Sequence, residues 1–259
     1  MNYTATEIMT IGAARALGNN DVCFVGIGLP SVACNLARRT HAPGVTLVYE
    51  SGTIAAKPSV LPLSIGDGEL CETALTTVPV PEMFRYWLQG GRITVGFLGG
   101  AQVDRFGNLN STVIGDYRKP KVRLPGAGGA TEIANCCGRI FMIMRHHARA
   151  MVENLDFLTT LGHGPTGQER RQLGILTAGP VLLVTDLCMM QPEPDTNEFI
   201  VTSLHPGVSR EQVCQNTGWA VRFADAVRET EPPSEQELEA LRDLNASTER
   251  AHAGRAAAV

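Results

Sequence analysis

Two stretches decide the fold: V-C-F-V-G-I-G-L-P-S, from Val22 to Ser31, and V-T-L-V-Y-E-S-G, from Val45 to Gly52. Val22 to Ile27 is a continuous apolar run, the mark of a parallel strand buried on both faces. Pro30 and Ser31 open a helix to about Arg39, with Val32, Ala33 and Leu36 turned inward. Pro43-Gly44 turns the chain into a second buried strand that ends on Glu50. Strand, helix and strand within about 30 residues make a right-handed crossover. The expected class is therefore α/β, an open three-layer α/β/α domain with a mainly parallel sheet. An acid at the carboxyl end of a parallel strand faces the crevice where such sheets bind ligands. Gly52 lets the backbone turn sharply away. A glutamate in this position is also a common solvated turn residue, so Glu50 alone decides nothing.

Working outward, Thr4 to Gly18 reads as a first helix through Ile8, Ile11, Ala14 and Leu17. Lys57 to Ala74 is irregular and rich in Pro and Gly, which predicts a long loop over the sheet. Pro81 to Gln89 reads as a helix with Pro81 in its first position, followed by a strand at Ile93 to Leu98. Gly129 to Cys137 reads as helix, Ile140 to Met144 and Val181 to Leu187 as strands. Cys188-Met190 and Phe199-Leu204 read as a hairpin. Ser209 and Gln212 form a capping box. A charged helix over 235–250 carries Leu238, Leu241 and Leu244 inward, and the tail beyond it is expected to fray. No linker stands out, so residues 1–259 are expected to form a single domain with helix 235–250 packed on it.

A chain of 259 residues, 44% hydrophobic and 19% charged, is long enough for a sizeable core. The net charge of −4 argues against strong affinity for nucleic acid or membrane surfaces. The N-terminus has no secretory pattern and no apolar run approaches a membrane span, so a cytoplasmic protein is expected. The seven cysteines contain no C-x-x-C and read as free thiols of a reducing compartment. His146-His147 have no suitably spaced partner, so no metal site is expected.

Three glycine-rich elements lie at strand ends. Gly26-Ile27-Gly28 fits a tight β–α turn, and also a fragment of a dinucleotide-binding motif that lacks its third glycine. Gly99-Gly100-Ala101-Gln102, running to Gly107-Asn108-Leu109-Asn110, is a turn-rich loop or a ligand-facing one. Gly126-Ala127-Gly128-Gly129-Ala130 leads into a helix, and three glycines in four residues favour close backbone approach by a ligand. A carboxylate nucleophile needs ionisation, a carbonyl to attack, and N–H donors where the oxyanion forms. Glu50 supplies the first and Gly128-Gly129 can supply the donors; no Ser-His-Asp pattern competes.

In order and combination, G-I-G-L-P-S, Y-E-S-G at 49–52, G-G-A-Q-V-D-R-F-G-N-L-N at 99–110, G-D-Y at 115–117, G-A-G-G-A at 126–130 and L-H-P-G-V-S at 204–209 resemble the β subunits of class I coenzyme A-transferases, in the glutaconate branch. The resemblance runs from about residue 4 to 245. It implies that Glu50 is the nucleophile, passing through a glutamyl–acyl anhydride and a glutamyl-CoA thioester, and that the Gly129 amide is an oxyanion donor. Gly28, Gly100, Gln102, Gly126 and Gly128 would bind the CoA substrate. No permanently bound cofactor is implied. A homologous α subunit, in a heteromer of several αβ pairs, is. The implied reaction moves CoA from succinyl-CoA to 3-oxoadipate, with glutaconate or another short dicarboxylate as the alternative acceptor. Lys57, Arg105 and Arg123 are candidate partners for a substrate carboxylate, or ordinary solvated bases. The loops at 57–74 and 104–125 are candidate lids. A dinucleotide-binding oxidoreductase and a non-enzymatic ligand sensor remain rival readings.

Overall fold

The computed structural model describes residues 2–257. The chain divides into two compact units, one formed by the chain up to Phe97 together with the chain from Pro233, the other by Leu98–Pro232.

The first unit contains α1 (Ala5–Arg15), β1 (Val22–Val25), α2 (Leu29–Arg39), β2 (Thr46–Tyr49), β3 (Thr53–Ile54), α3 (Gly68–Glu72), β4 (Thr76–Thr77), α4 (Val80–Glu82), β5 (Val95–Leu98) and the C-terminal helix Glu235–Ala257. Its strands lie in the order β5-β1-β2-β3-β4. β1 runs parallel to both β2 and β5, and β3 and β4 add antiparallel at the edge. The expected crossover is present: Val25 pairs with Tyr49, so Gly26 and Glu50 leave the sheet at the same end. Phe24, Leu36, Leu47 and Tyr49 are all but inaccessible to solvent and form the core beneath that end.

Three local expectations change. Helix 81–89 begins at Val80, with Pro81 second, and winds as a π-helix from Met83 to Leu88. Bonds such as Gln89 N–H to Phe84 O (2.8 Å) span five residues. The wider turn lets Met83 and Leu88, five apart, both reach the core. The 57–74 loop contains α3 and is pinned rather than loose. Arg38 donates to Pro58 O (2.8 Å), Ser59 donates from its N–H and hydroxyl to Glu69 (2.8 and 3.0 Å), and Leu61 N–H donates to Thr248 Oγ1 (2.9 Å). This stretch buttresses α2 and the C-terminal helix. The C-terminal helix continues past 250 to Ala257, because its extension is alanine-rich and His252 hydrogen-bonds Leu61 O (3.0 Å). It packs on α1 and α2, clamped by Arg15 on Glu237 (2.7 Å) and Arg242 on Glu7 (2.7 Å).

The second unit contains β6 (Gln102–Val103), β7 (Leu109–Asn110), β8 (Val113–Gly115), β9 (Pro120–Arg123), α5 (Ala130–Cys136), β10 (Arg139–Ile143), α6 (Glu169–Gln172), β11 (Pro180–Val184), β12 (Cys188–Pro192), β13 (Phe199–Leu204), α7 (Arg210–Gln215) and β14 (Arg222–Glu229). Its main strands lie in the order β14-β13-β12-β11-β10, with β10–β11 and β13–β14 parallel. The expected β12–β13 hairpin is present, as is the Ser209 capping box. β14 and the small pairs β6–β7 and β8–β9 were not expected from the sequence; their strands are short or lack alternation. The α/β class with mainly parallel pairing is the architecture observed.

No disulfide joins any of the seven cysteines; Cys71 and Cys214 are exposed, Cys136 is half-buried and the others are buried. Among the described residues no helix is long and apolar enough to cross a membrane.

Candidate active site

In the first unit Glu50 is half-buried directly after β2. Its carboxylate has no hydrogen-bonding or ionic partner among the described residues. What fixes it is the backbone on either side. Gly52 N–H donates to Tyr49 O (2.9 Å), closing a turn over Glu50 and Ser51. Gly52 O accepts from Val78 N–H (2.9 Å), and the Gly52 φ is +104°. On the near side, the Tyr49 hydroxyl lies 3.3 Å from Ser31 Oγ and 3.4 Å from Asn35 Nδ2. Burial pushes the Tyr49 phenol up to about 12, so it stays protonated. The Ser51 and Thr53 hydroxyls are buried without a hydrogen-bond partner among the described residues. The nucleophile candidate thus sits in a turn held at both ends, its own side chain uncommitted.

Gly28 is the N-cap of α2, exposed, with φ +82° and nothing within 4 Å of the position a Cβ would take. The Gly26–Gly28 fragment is therefore a β–α turn capping a helix, with open space beside it.

In the second unit, Gly126 (φ +100°) and Gly128 (φ +50°) need backbone conformations that favour glycine, and neither has an atom within 4 Å of a notional Cβ. Ser111 holds the loop, accepting from Gly126 N–H (2.9 Å) and donating its hydroxyl to Gly126 O (2.8 Å). Gly129 is buried and is the N-cap of α5. No acceptor among the described residues takes the N–H of Gly128 or Gly129. Buried amides are almost always paired, so the uncommitted Gly129 N–H is a donor awaiting an acceptor.

Gly100 is packed against Asn110 O and Gln102 O, where a Cβ would come within 3.0 and 3.3 Å. Gln102 is buried and its amide is occupied: Oε1 accepts from Asn110 Nδ2 (2.7 Å) and Asp156 N–H (3.0 Å), and Nε2 donates to Asp156 (3.2 Å). In this chain the Gly100–Gln102 pair shapes the β6–β7 hairpin. Arg105 is paired with Glu153 (3.0 Å), beside a cavity of about 400 Å³ lined by Asp104, Phe106, Asn108, Leu155 and Leu158. Arg123 stacks over the Tyr117 ring (4.8 Å) and donates to Tyr117 O (2.9 Å). The Lys57 side chain is exposed. Two of the three candidate carboxylate partners are therefore engaged at home.

The sequence reading passed over Ser31, Asn35 and Arg38. Their signal was there to find: polar residues at i, i+4 and i+7 mark one face of α2, and that face is turned inward. It also missed Arg170, whose buried guanidinium donates to Ala134 O (2.7 Å), Gly162 O (3.3 Å) and Thr177 O (3.1 Å), bracing the end of α5.

The coenzyme A transferase family model matches residues 6–216 of this chain. The chain is 65% identical over 250 residues to a subunit of the 3-oxoadipate CoA-transferase of Pseudomonas knackmussii, covering 96% of each chain. It is 35% identical over 250 residues to a subunit of the glutaconate CoA-transferase of Acidaminococcus fermentans, covering 93% of this chain and 92% of the relative. The crystal structure of glutaconate coenzyme A-transferase from that organism superposes with a TM-score of 0.87 at 31% identity, covering 93% of this chain and 94% of the other. A strand-end glutamate in a clamped turn, a glycine loop with free amides and similarity along nearly the whole length agree: the chain belongs to the coenzyme A transferase family.

Proposed function

We propose that this chain is the β subunit of a cytoplasmic CoA-transferase that moves CoA from succinyl-CoA to 3-oxoadipate in aromatic-compound degradation. The observation that carries the reading is the 65% identity, across 96% of both chains, to a 3-oxoadipate CoA-transferase subunit. Similarity along 96% of the chain supports reading residues 1–259 as one subunit. A homologous α subunit, in an assembly of several αβ pairs, completes the enzyme.

Glu50 is the nucleophile in this reading. Its carboxylate attacks the thioester carbonyl of succinyl-CoA, and the CoA thiolate leaves to give a glutamyl–succinyl anhydride. The thiolate then attacks the glutamyl carbonyl, releasing succinate and leaving a glutamyl-CoA thioester. The 3-oxoadipate carboxylate attacks that thioester, and the thiolate finally takes the acyl group from the second anhydride, freeing Glu50. One thioester replaces another, without water or redox change. The Gly129 N–H stabilises the oxyanion of each tetrahedral intermediate. Gly28 in the first unit, and Gly126 and Gly128 in the second, each with open space where a Cβ would stand, are the candidate contacts for the CoA substrate in this reading; Gly100 and Gln102, committed to the β6–β7 hairpin, contribute by shaping it.

The test is intact-mass analysis of this chain in the αβ complex incubated with succinyl-CoA alone. A CoA-sized adduct, absent in Glu50→Ala, is expected; no adduct together with full activity in Glu50→Ala would remove the mechanism. A second acceptor, glutaconate, is favoured by the 35% identical relative. Comparing kcat/KM for 3-oxoadipate, glutaconate and acetoacetate decides between them.

A further inference from the structure

Tyr49 raises a question that packing alone does not answer. It is fully buried at the end of β2, where a phenylalanine ring would fill the same space without bringing a hydroxyl out of water. The hydroxyl is nevertheless met from α2. Ser31 Oγ lies at 3.3 Å and Asn35 Nδ2 at 3.4 Å, and Asn35 also donates to Ser31 O (2.9 Å). Asn35 Oδ1 accepts from Arg38 (3.1 Å), and Arg38 donates onward to Pro58 O (2.8 Å). A polar chain therefore runs from the residue before Glu50, along the inward face of α2, to the buttress that begins at Pro58. Beyond Glu50, the Gly52–Val78 pairing holds the turn's other end. Glu50 itself is held by nothing else among the described residues.

We propose that Tyr49, through its hydroxyl, and Asn35 are positioning residues for the Glu50 carboxylate. They lock the end of β2 against α2, so that the turn presents the carboxylate in one direction. The inference rests on the reading of Glu50 as nucleophile. Its physical basis is that a misplacement of about 1 Å at a reacting group costs on the order of 10²-fold in rate. A hydroxyl anchor one residue away acts on that placement, and acts equally on every step in which Glu50 reacts.

The experiment uses the αβ complex carrying Tyr49→Phe or Asn35→Leu in this chain. Measured are kcat and KM for transfer, the rate of CoA-adduct formation on Glu50 by mass, and the melting temperature. The expected result is a fall in kcat of about tenfold with KM within about twofold, and adduct formation slowed by the same factor. The double variant should lose no more than the worse single one, because both act through one contact. A purely structural role predicts a lower melting temperature with unchanged kcat per folded enzyme, and that result overturns the proposal. If Tyr49→Phe does not fold, Asn35→Leu carries the test by the same readouts. Absence of any adduct in the wild-type complex would overturn the reading of Glu50 itself, and this inference with it. A wild-type adduct with undiminished rates in both variants would overturn only the positioning role.

Discussion

The carbonyl oxygen of Val78 occupies the space that a side chain on Gly52 would need. The contact is backbone to backbone, so neither partner can rotate away. Gly52 also holds φ at +104°, a region that L side chains rarely adopt. Gly52→Ala therefore meets two penalties at once. The expected loss is about 3 kcal/mol or more, together with transfer activity, because the turn carrying Glu50 must move. Thermal melting and a transfer assay on the same preparation check it; near-wild-type values for both would show that the turn yields cheaply.

The Gly129 amide can be removed without touching a side chain. Its φ of −85° is close to what proline requires, so Gly129→Pro deletes the N–H while approximating the backbone. If this amide stabilises the oxyanion, kcat falls by about 10²-fold while KM changes little. Steady-state kinetics alongside a melting curve separate this from misfolding.

Acid should weaken the second unit before most carboxylates titrate. Burial lowers the pKa of His146 to about 4, and burial lowers those of His163 and His205 as well. Burial is what holds all three rings neutral; the carbonyl acceptors, Pro180 O at 2.8 Å from His163 Nε2 and Thr185 O at 2.8 Å from His205 Nε2, pull the other way without outweighing it. The unfolded chain binds these protons more readily than the folded one. Their contribution is complete above pH 6.5 and declines as the pH falls from 6.5 towards 4, with a loss on the order of 3 kcal/mol from His146 alone. Denaturant melts across that range should show falling stability; a flat profile down to pH 4.5 would contradict it.

Glu237 behaves in the opposite sense and at lower pH. Burial raises its pKa, but the Arg15 guanidinium and the Ser234 N–H and hydroxyl outweigh burial and hold it at about 2. The stability it confers is present above pH 4.5 and is lost as the pH falls from 4.5 through 2. Arg15→Met should cost about 1 kcal/mol or less at neutral pH, since the pair is partly solvated. The gap between variant and wild type should close as the pH drops through that window, read by melting temperature.

Thr53 offers a change in the favourable direction. Its hydroxyl is buried and makes no hydrogen bond among the described residues. Thr53→Val keeps the shape and removes the unsatisfied group, so stability should hold or rise by up to about 1 kcal/mol. A fall beyond that would mean that the hydroxyl has a partner in the assembled enzyme.

The legibility of the fold followed the range of the forces involved. β1, α2 and β2 announced themselves because burial on both faces leaves an unbroken apolar run, and because proline and glycine punctuate helix ends locally. Glu50 was readable for the same reason: a charge directly after such a run must sit at a sheet end. The free Gly128 and Gly129 amides were readable because clustered glycines before a helix mark backbone that other residues rarely adopt and that a ligand can approach closely. The failures are long-range. Nothing local in P-E-M-F-R-Y-W-L says that Met83 and Leu88 will both be buried and the helix widened between them. The buttress at 58–61 depends on Arg38, Glu69 and Thr248, far apart in sequence. Gln102 looked available for a ligand because its partners, Asn110 and Asp156, meet it only after folding.

The uneven exposure of the thiols has a practical consequence. Cys71, in the first unit, and Cys214, in the second, are the two exposed cysteines among the seven. Each unit therefore carries its own reactive handle without an added residue. A donor dye on one and an acceptor on the other would convert any change in separation during turnover into a fluorescence signal from the native sequence.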